Sequence, residues 1–152
     1  NNDEIKLRAQ SAIDANLKVI LCVGESLIDR KKGNALEHIK KQLYECLPIN
    51  FENSLIAYEP IWSIGTGKIP SALEIEEMHE NIKKIAFDVV KKKINILYGG
   101  SVNVKNINNI LNIKNLDGVL VGGASLKVKD FLAIYTAAVK HLNNISKVQE
   151  IL

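Results

Sequence analysis

The chain has 152 residues, 47% hydrophobic and 24% charged, with a net charge of +3. That composition excludes a fibrous or disordered protein and leaves a globular domain with one core. The longest apolar runs, VILCV (19–23) and GVLVGGA (118–124), are far shorter than the ~20 residues a membrane-spanning helix needs. The opening NNDEIKLRAQ is polar and acidic ahead of any apolar stretch, the wrong order for a secretory signal, so a cytoplasmic protein with no membrane partner is expected. Lysines and arginines are interspersed with acids, and aromatics are few, which argues against a nucleic-acid-binding face. The two cysteines, Cys22 and Cys46, lack any metal-ligand spacing and read as buried thiols.

In chain order, Ile5, Ala9, Ala12 and Ile13 have helical spacing, with Asn16 as a left-handed stop. A strand follows in LKVILCVG, then a helix over roughly 34–46 that Pro48 helps to end. SLIAYE (54–59) is the second strand. Ser71 and Glu74 have capping-box spacing ahead of a long amphipathic helix running to Val90. INILYGG (94–100) is the third strand, and Asn103 caps a short helix carrying Ile107, Ile110 and Leu111. LDGVLVGGAS (116–125) supplies the fourth strand, and a last helix covers about 130–143. Apolar strands alternating with amphipathic helices predict a parallel sheet covered by helices, either an open doubly wound sheet or part of a (β/α)8 barrel. A complete barrel takes ~250 residues, so this chain has room for about half of one.

The unusual residues gather at the strands' C-terminal ends, the active face of such barrels: Gly24-Glu25, Glu59-Pro60, Gly99-Gly100-Ser101 and Gly122-Gly123-Ala124. Paired glycines leave main-chain N–H groups open, which suits a phosphate, although tight turns alone would also use them. A carboxylate desolvated in a closing pocket becomes basic enough to take a proton from carbon next to a carbonyl, which makes Glu59 the candidate base. The segment after it, PIWSIGTGKIP, has proline at both ends, Trp62 as an aromatic lever and a glycine-flanked tip. Rigid ends and a compliant tip are what a hinged lid requires.

ILCVGE, YEPIWSIGTGK, ILYGGSV and DGVLVGGAS, in that order and at these separations, resemble the C-terminal part of triosephosphate isomerase, from about residue 3 to residue 142. The resemblance implies an α/β fold: the C-terminal half of a (β/α)8 TIM barrel, four parallel strands with covering helices, as one partial domain over 1–152 without the N-terminal half. It implies interconversion of dihydroxyacetone phosphate and D-glyceraldehyde 3-phosphate, a step of glycolysis and gluconeogenesis, with no cofactor and no metal. By position, Glu59 matches the catalytic base. Gly65, Ser101, Gly122 and Gly123 match the amides that hold the substrate phosphate. Pro60, Ile61, Trp62, Ser63, Ile64, Gly65, Thr66, Gly67 and Lys68 match the lid. Tyr98 and Ser101 match the lid latch, and Glu25 and Trp62 a pair that accompanies lid motion.

Two departures bear on activity. The family's tyrosine latch uses a main-chain N–H at the lid's far end, where this chain has Pro70, which has none. The family's substrate-contacting asparagine and lysine, and the histidine that polarises the carbonyl, would precede residue 1; His38, His79 and His141 all fall on helical segments. The chain is therefore expected to be inactive alone and to need an N-terminal half-barrel or a second copy to close the barrel. The family is usually homodimeric, but the loop that makes its dimer contact belongs largely to the other half. Two other functions compete: a non-catalytic phosphate-binding or assembly module, and a retaining glycosidase pairing Glu25 with Glu59 at ~5 Å.

Overall fold

The computed structural model describes residues 1–64, 66 and 68–149. Their helices and strands follow the order α1 (Asn2–Asp14), β1 (Ile20–Val23), α2 (Leu27–Lys31), α3 (Ala35–Cys46), β2 (Leu55–Tyr58), α4 (Ala72–Val90), β3 (Asn95–Tyr98), α5 (Ile107–Leu111), β4 (Gly118–Val119) and α6 (Val128–Gln149). Two 3₁₀ turns lie at strand exits, Ile61–Ser63 after β2 and Gly123–Leu126 after β4. The strands form one parallel sheet in sequence order, β1-β2-β3-β4.

Local chemistry sets the boundaries. The main chain turns left-handed at Asn16 (φ 59°) and at Lys91 (φ 60°), which stops α1 and α4. At the start of α4 the expected capping box forms: Glu74 N–H donates to Ser71 Oγ (3.3 Å), and Ser71 N–H to Glu74 Oε2 (2.8 Å). Ser26 caps α2 through its side chain alone, accepting from Asp29 N–H at 3.1 Å, and this helix was not foreseen. Asn103 acts one turn earlier than expected: its Oδ1 accepts from Lys105 and Asn106 N–H, while Asn106 occupies the cap of α5.

Strand alternation decides what is buried. Leu21, Ile56 and Ile96 share one register row, and Val23, Tyr58 and Tyr98 another; all six are buried against the helix layer. That layer contributes Ile39 and Leu43 from α3 and Ile75 and Ile82 from α4, each at most 1% exposed and each contributing about 1.5–3 kcal/mol by leaving water. Ile20 and Cys22 point to the opposite face and are exposed. Cys22 is therefore not the buried thiol its apolar run suggests, while Cys46 is buried as expected. The fourth strand is also shorter than its apolar run. Only Gly118 and Val119 hold the ladder, although Leu120 N–H still donates to the Tyr98 carbonyl at 2.9 Å.

Candidate active site

The parallel ladder carries the turns after β1 to β4 to one end of the sheet. Beyond the last paired residues, Glu59 N–H donates to the Val23 carbonyl (2.8 Å), Ile61 N–H to the Glu25 carbonyl (3.1 Å) and Gly99 N–H to the Tyr58 carbonyl (2.8 Å). At this end a cavity of about 540 Å³ is bounded by Glu59, Ile64, the Gly99 to Ser101 turn, the Leu120 to Gly123 segment and Asp130. The structure thus brings together Glu59, Ser101, Gly122 and Gly123, which come from three different strand ends. Gly65 and Gly67 lie outside the described residues. A second cavity of about 420 Å³, lined by Lys83, Phe87, Lys93 and Asp117, opens at the strands' other end and holds none of these groups.

Glu59 is closely fenced. A Cβ on Gly24 would stand 1.7 Å from the Glu59 carbonyl oxygen, and one on Gly99 would stand 2.6 Å from Glu59 Cγ, so neither position has room for a side chain. Burial raises the Glu59 carboxyl above the ordinary carboxylate range, and a hydrogen bond from the Cys22 thiol opposes that rise. Cys22 keeps exposed surface, yet atoms packed about its sulfur, together with the Glu59 charge, push the thiol up to about 11. The proton therefore stays on sulfur, and the carboxylate is the basic partner.

Behind Glu59 lies a layer of polar groups. Glu25 is fully buried, and its Oε1 accepts from Trp62 Nε1 (2.9 Å), Arg30 Nε (3.0 Å) and Tyr58 OH (3.2 Å). Arg30 also donates to Tyr58 OH (2.8 Å), approaches Glu74 of the α4 capping box at 3.6 Å, and lies 5.7 Å from the centre of the Trp62 ring. Glu25 does not border the cavity, so it is not placed as the second carboxylate of a glycosidase pair. The pairing of Glu25 with Trp62 is present.

At the third strand end, Ser101 Oγ donates to the Ser63 carbonyl at 3.0 Å. The Tyr98 hydroxyl is buried and has no hydrogen-bond partner. At the fourth, Gly122 and Gly123 are exposed, and a Cβ on either would meet nothing within 4 Å. The glycine pair runs into the 3₁₀ turn Gly123–Leu126, closed by Ser125 Oγ and N–H on the Gly122 carbonyl (2.8 and 2.9 Å). His38, His79 and His141 sit on α3, α4 and α6, and none borders the cavity. His79 is fully buried beside Tyr58 and Tyr98, and burial pushes its imidazole down to about 4.

Comparison with known proteins places this geometry. A family model described as triosephosphate isomerase matches residues 1–138. The chain belongs to the triosephosphate isomerase family. It is 44% identical over 138 residues to the triosephosphate isomerase of Rhizobium meliloti, covering 88% of this chain and 54% of that protein. With the Wolbachia enzyme from Brugia malayi the identity is 45% over 130 residues, covering 86% and 53%. The crystal structure of triosephosphate isomerase from Bartonella henselae matches with a TM-score of 0.81 and 34% identity, over 90% of this chain and 56% of that one. The chain thus spans about half the length of the triosephosphate isomerases it matches, and its four parallel strands and covering helices fit that barrel.

Sequence reading missed the site roles of Arg30 and Cys22 and gave Ser63 no role of its own. Arg30 lies five positions after Glu25, on the Ser26-capped helix, a spacing that could have signalled a partner. Cys22 sits one strand over, in register with Ala57, two residues before Glu59. Ser63 was placed only as one lid residue among nine, and nothing in its spacing marks it out.

Proposed function

We infer that this chain supplies the base, the lid and the phosphate cradle of a triosephosphate isomerase. The observation that carries this reading is Glu59. Its carboxylate borders a cavity with its basicity raised by burial, and the same cavity is lined by the Gly122, Gly123 and Ser101 main chain. A base so placed removes a proton from the carbon next to the carbonyl of a phosphorylated triose and returns it to the neighbouring carbon, through an enediol. Main-chain amides at two strand ends hold the phosphate, with Gly65 as a third donor in the lid. Residues 60–68 close over the substrate and exclude water, and Ser101 receives them. The Tyr98 hydroxyl, unpaired and with Pro70 as its family counterpart, contributes less to that latch than in relatives.

The 152 residues do not turn over substrate by themselves, because no imidazole borders the cavity to polarise the carbonyl. Closing the barrel calls for the complementary four strand-helix units, from an N-terminal half or a second copy. The proposed workplace is the cytoplasm, and among the described residues no helix is long and apolar enough to cross a membrane.

The test is isomerase activity of the chain alone and mixed with the N-terminal half of a homologous barrel. Activity is expected only on mixing. Glu59→Gln should then lower it by about 10²–10⁴ while leaving the circular dichroism spectrum unchanged. Activity that survives Glu59→Gln would remove Glu59 as base. A folded mixture without activity, still protected by inorganic phosphate against proteolysis, would favour a phosphate-binding or assembly module.

A further inference from the structure

Ser63 is fully buried, although its neighbours Ile61 and Ile64 are exposed. Each of its polar groups is engaged. Its N–H donates to the Pro60 carbonyl (2.8 Å), and its carbonyl accepts from Ser101 Oγ (3.0 Å). Its hydroxyl donates to the Lys68 carbonyl (2.7 Å) and faces a longer approach from Ser101 N–H (3.4 Å). One side chain therefore joins the near end of the lid to its far end, and both to the turn after β3. Thr66 adds a lesser strut, its hydroxyl donating to the Trp62 carbonyl at 2.9 Å and accepting from Lys68 N–H at 3.2 Å.

The surroundings show why such a joint is needed here. Pro70 is buried and offers no N–H, so no main-chain donor exists at that point of the lid's exit. The Tyr98 hydroxyl has no partner. A Cβ on Gly100 would lie 2.2 Å from that hydroxyl and 3.1 Å from Ser63 Oγ, so the two oxygens converge over one glycine. Burial raises the Tyr98 phenol above its ordinary value. Ser63, rather than Tyr98, is the residue bonded to the far end of the lid.

We propose that Ser63 is a lid-positioning residue whose hydroxyl clasps residues 63 and 68 together over the Ser101 turn, in place of an anchor at Pro70. The lid itself rests on the isomerase reading, whereas the clasp does not. Removing the hydroxyl takes away the tie between residues 63 and 68 and leaves the Lys68 carbonyl to water, so the open arrangement gains population.

Trp62 is the only tryptophan in the sequence and is adjacent to Ser63, so its fluorescence reads the segment directly. In the 152-residue chain, Ser63→Ala should raise acrylamide quenching of Trp62 about threefold, in line with loss of one net hydrogen bond. In the mixed, active protein the same variant should raise KM and lower kcat together, as expected of an altered lid equilibrium. Wild-type quenching with wild-type kinetics, even with a lowered melting temperature, would overturn the clasp. If Ser63→Ala does not fold, Ser63→Cys keeps the volume with a weaker donor; raised quenching supports the clasp and wild-type quenching overturns it. The two readings separate cleanly. Glu59-dependent activity with unmoved quenching and kinetics leaves the isomerase reading and removes the clasp, whereas raised quenching without activity in any mixture does the reverse.

Discussion

The turn after β2 and the turn after β4 border the same cavity but are held in opposite ways. Glu59 is enclosed by Gly24, Gly99 and Cys22, and the residues around it are pinned by a network of buried Glu25 and Tyr58 with half-buried Arg30 and Trp62. Gly122 and Gly123 are exposed and touch nothing that a methyl group would disturb. One strand end is preorganised by its own protein neighbours. The other is bare main chain, exposed at the edge of the cavity. Preorganisation belongs where a proton must be taken at a fixed position, and open amides belong where an anion can complete the geometry itself.

The largest way to break this contrast is Arg30→Met. It leaves the Glu25 carboxylate buried without its cation, and stability should fall by about 3–5 kcal/mol, read by urea denaturation. Next, Gly24→Ala forces a methyl into the Glu59 main chain and should cost about 1–3 kcal/mol, while Gly122→Ala should leave the urea midpoint unchanged. Equal costs at the two glycines would dissolve the comparison.

A third, pH-dependent effect sits behind the fenced end. His79 is held neutral down to about 4 in the fold, and titrates near 6.5 when unfolded, with Lys83 disfavouring its charge and Asp117 and the Asn115 main chain favouring it. Between those values the unfolded chain binds the extra proton, so stability falls as pH drops from about 6.5 to about 4, by up to about 1.4 kcal/mol per pH unit. His79→Phe should flatten that slope in melts taken across the window. The smallest effect is Cys22→Ala. Loss of the thiol donor should raise the Glu59 carboxyl further and move the acid limb of the activity profile to higher pH, with the plateau little changed.

Much of the pinned end was legible because it is written in local patterns. A carboxylate before proline at a strand exit, a capping box at Ser71 and Glu74, and Asn16 as a left-handed stop all act over a few residues. What escaped the sequence depends on distant contacts. Cys22 lies in an apolar run that reads as buried throughout, and only the pleat turns it to the open face. Arg30 gains its role from Tyr58 and Glu74, far along the chain. The brevity of β4, which pairs with β3 over two residues, is not written in its longer apolar run. Ser63 is one of several serines until the lid is folded back on it.

The ladder from β2 continues past the strand, through Glu59 N–H on Val23 and Ile61 N–H on Glu25. Along such a ribbon neighbouring side chains take opposite faces, Tyr58 among the helices and Glu59 toward the cavity. Removing one residue between Leu55 and Tyr58 would invert that parity, presenting a phenol to the cavity and a carboxylate to the layer of Tyr98 and His79. Point substitutions in this stretch adjust the chemistry by degrees, but a single-codon deletion would exchange its inside for its outside.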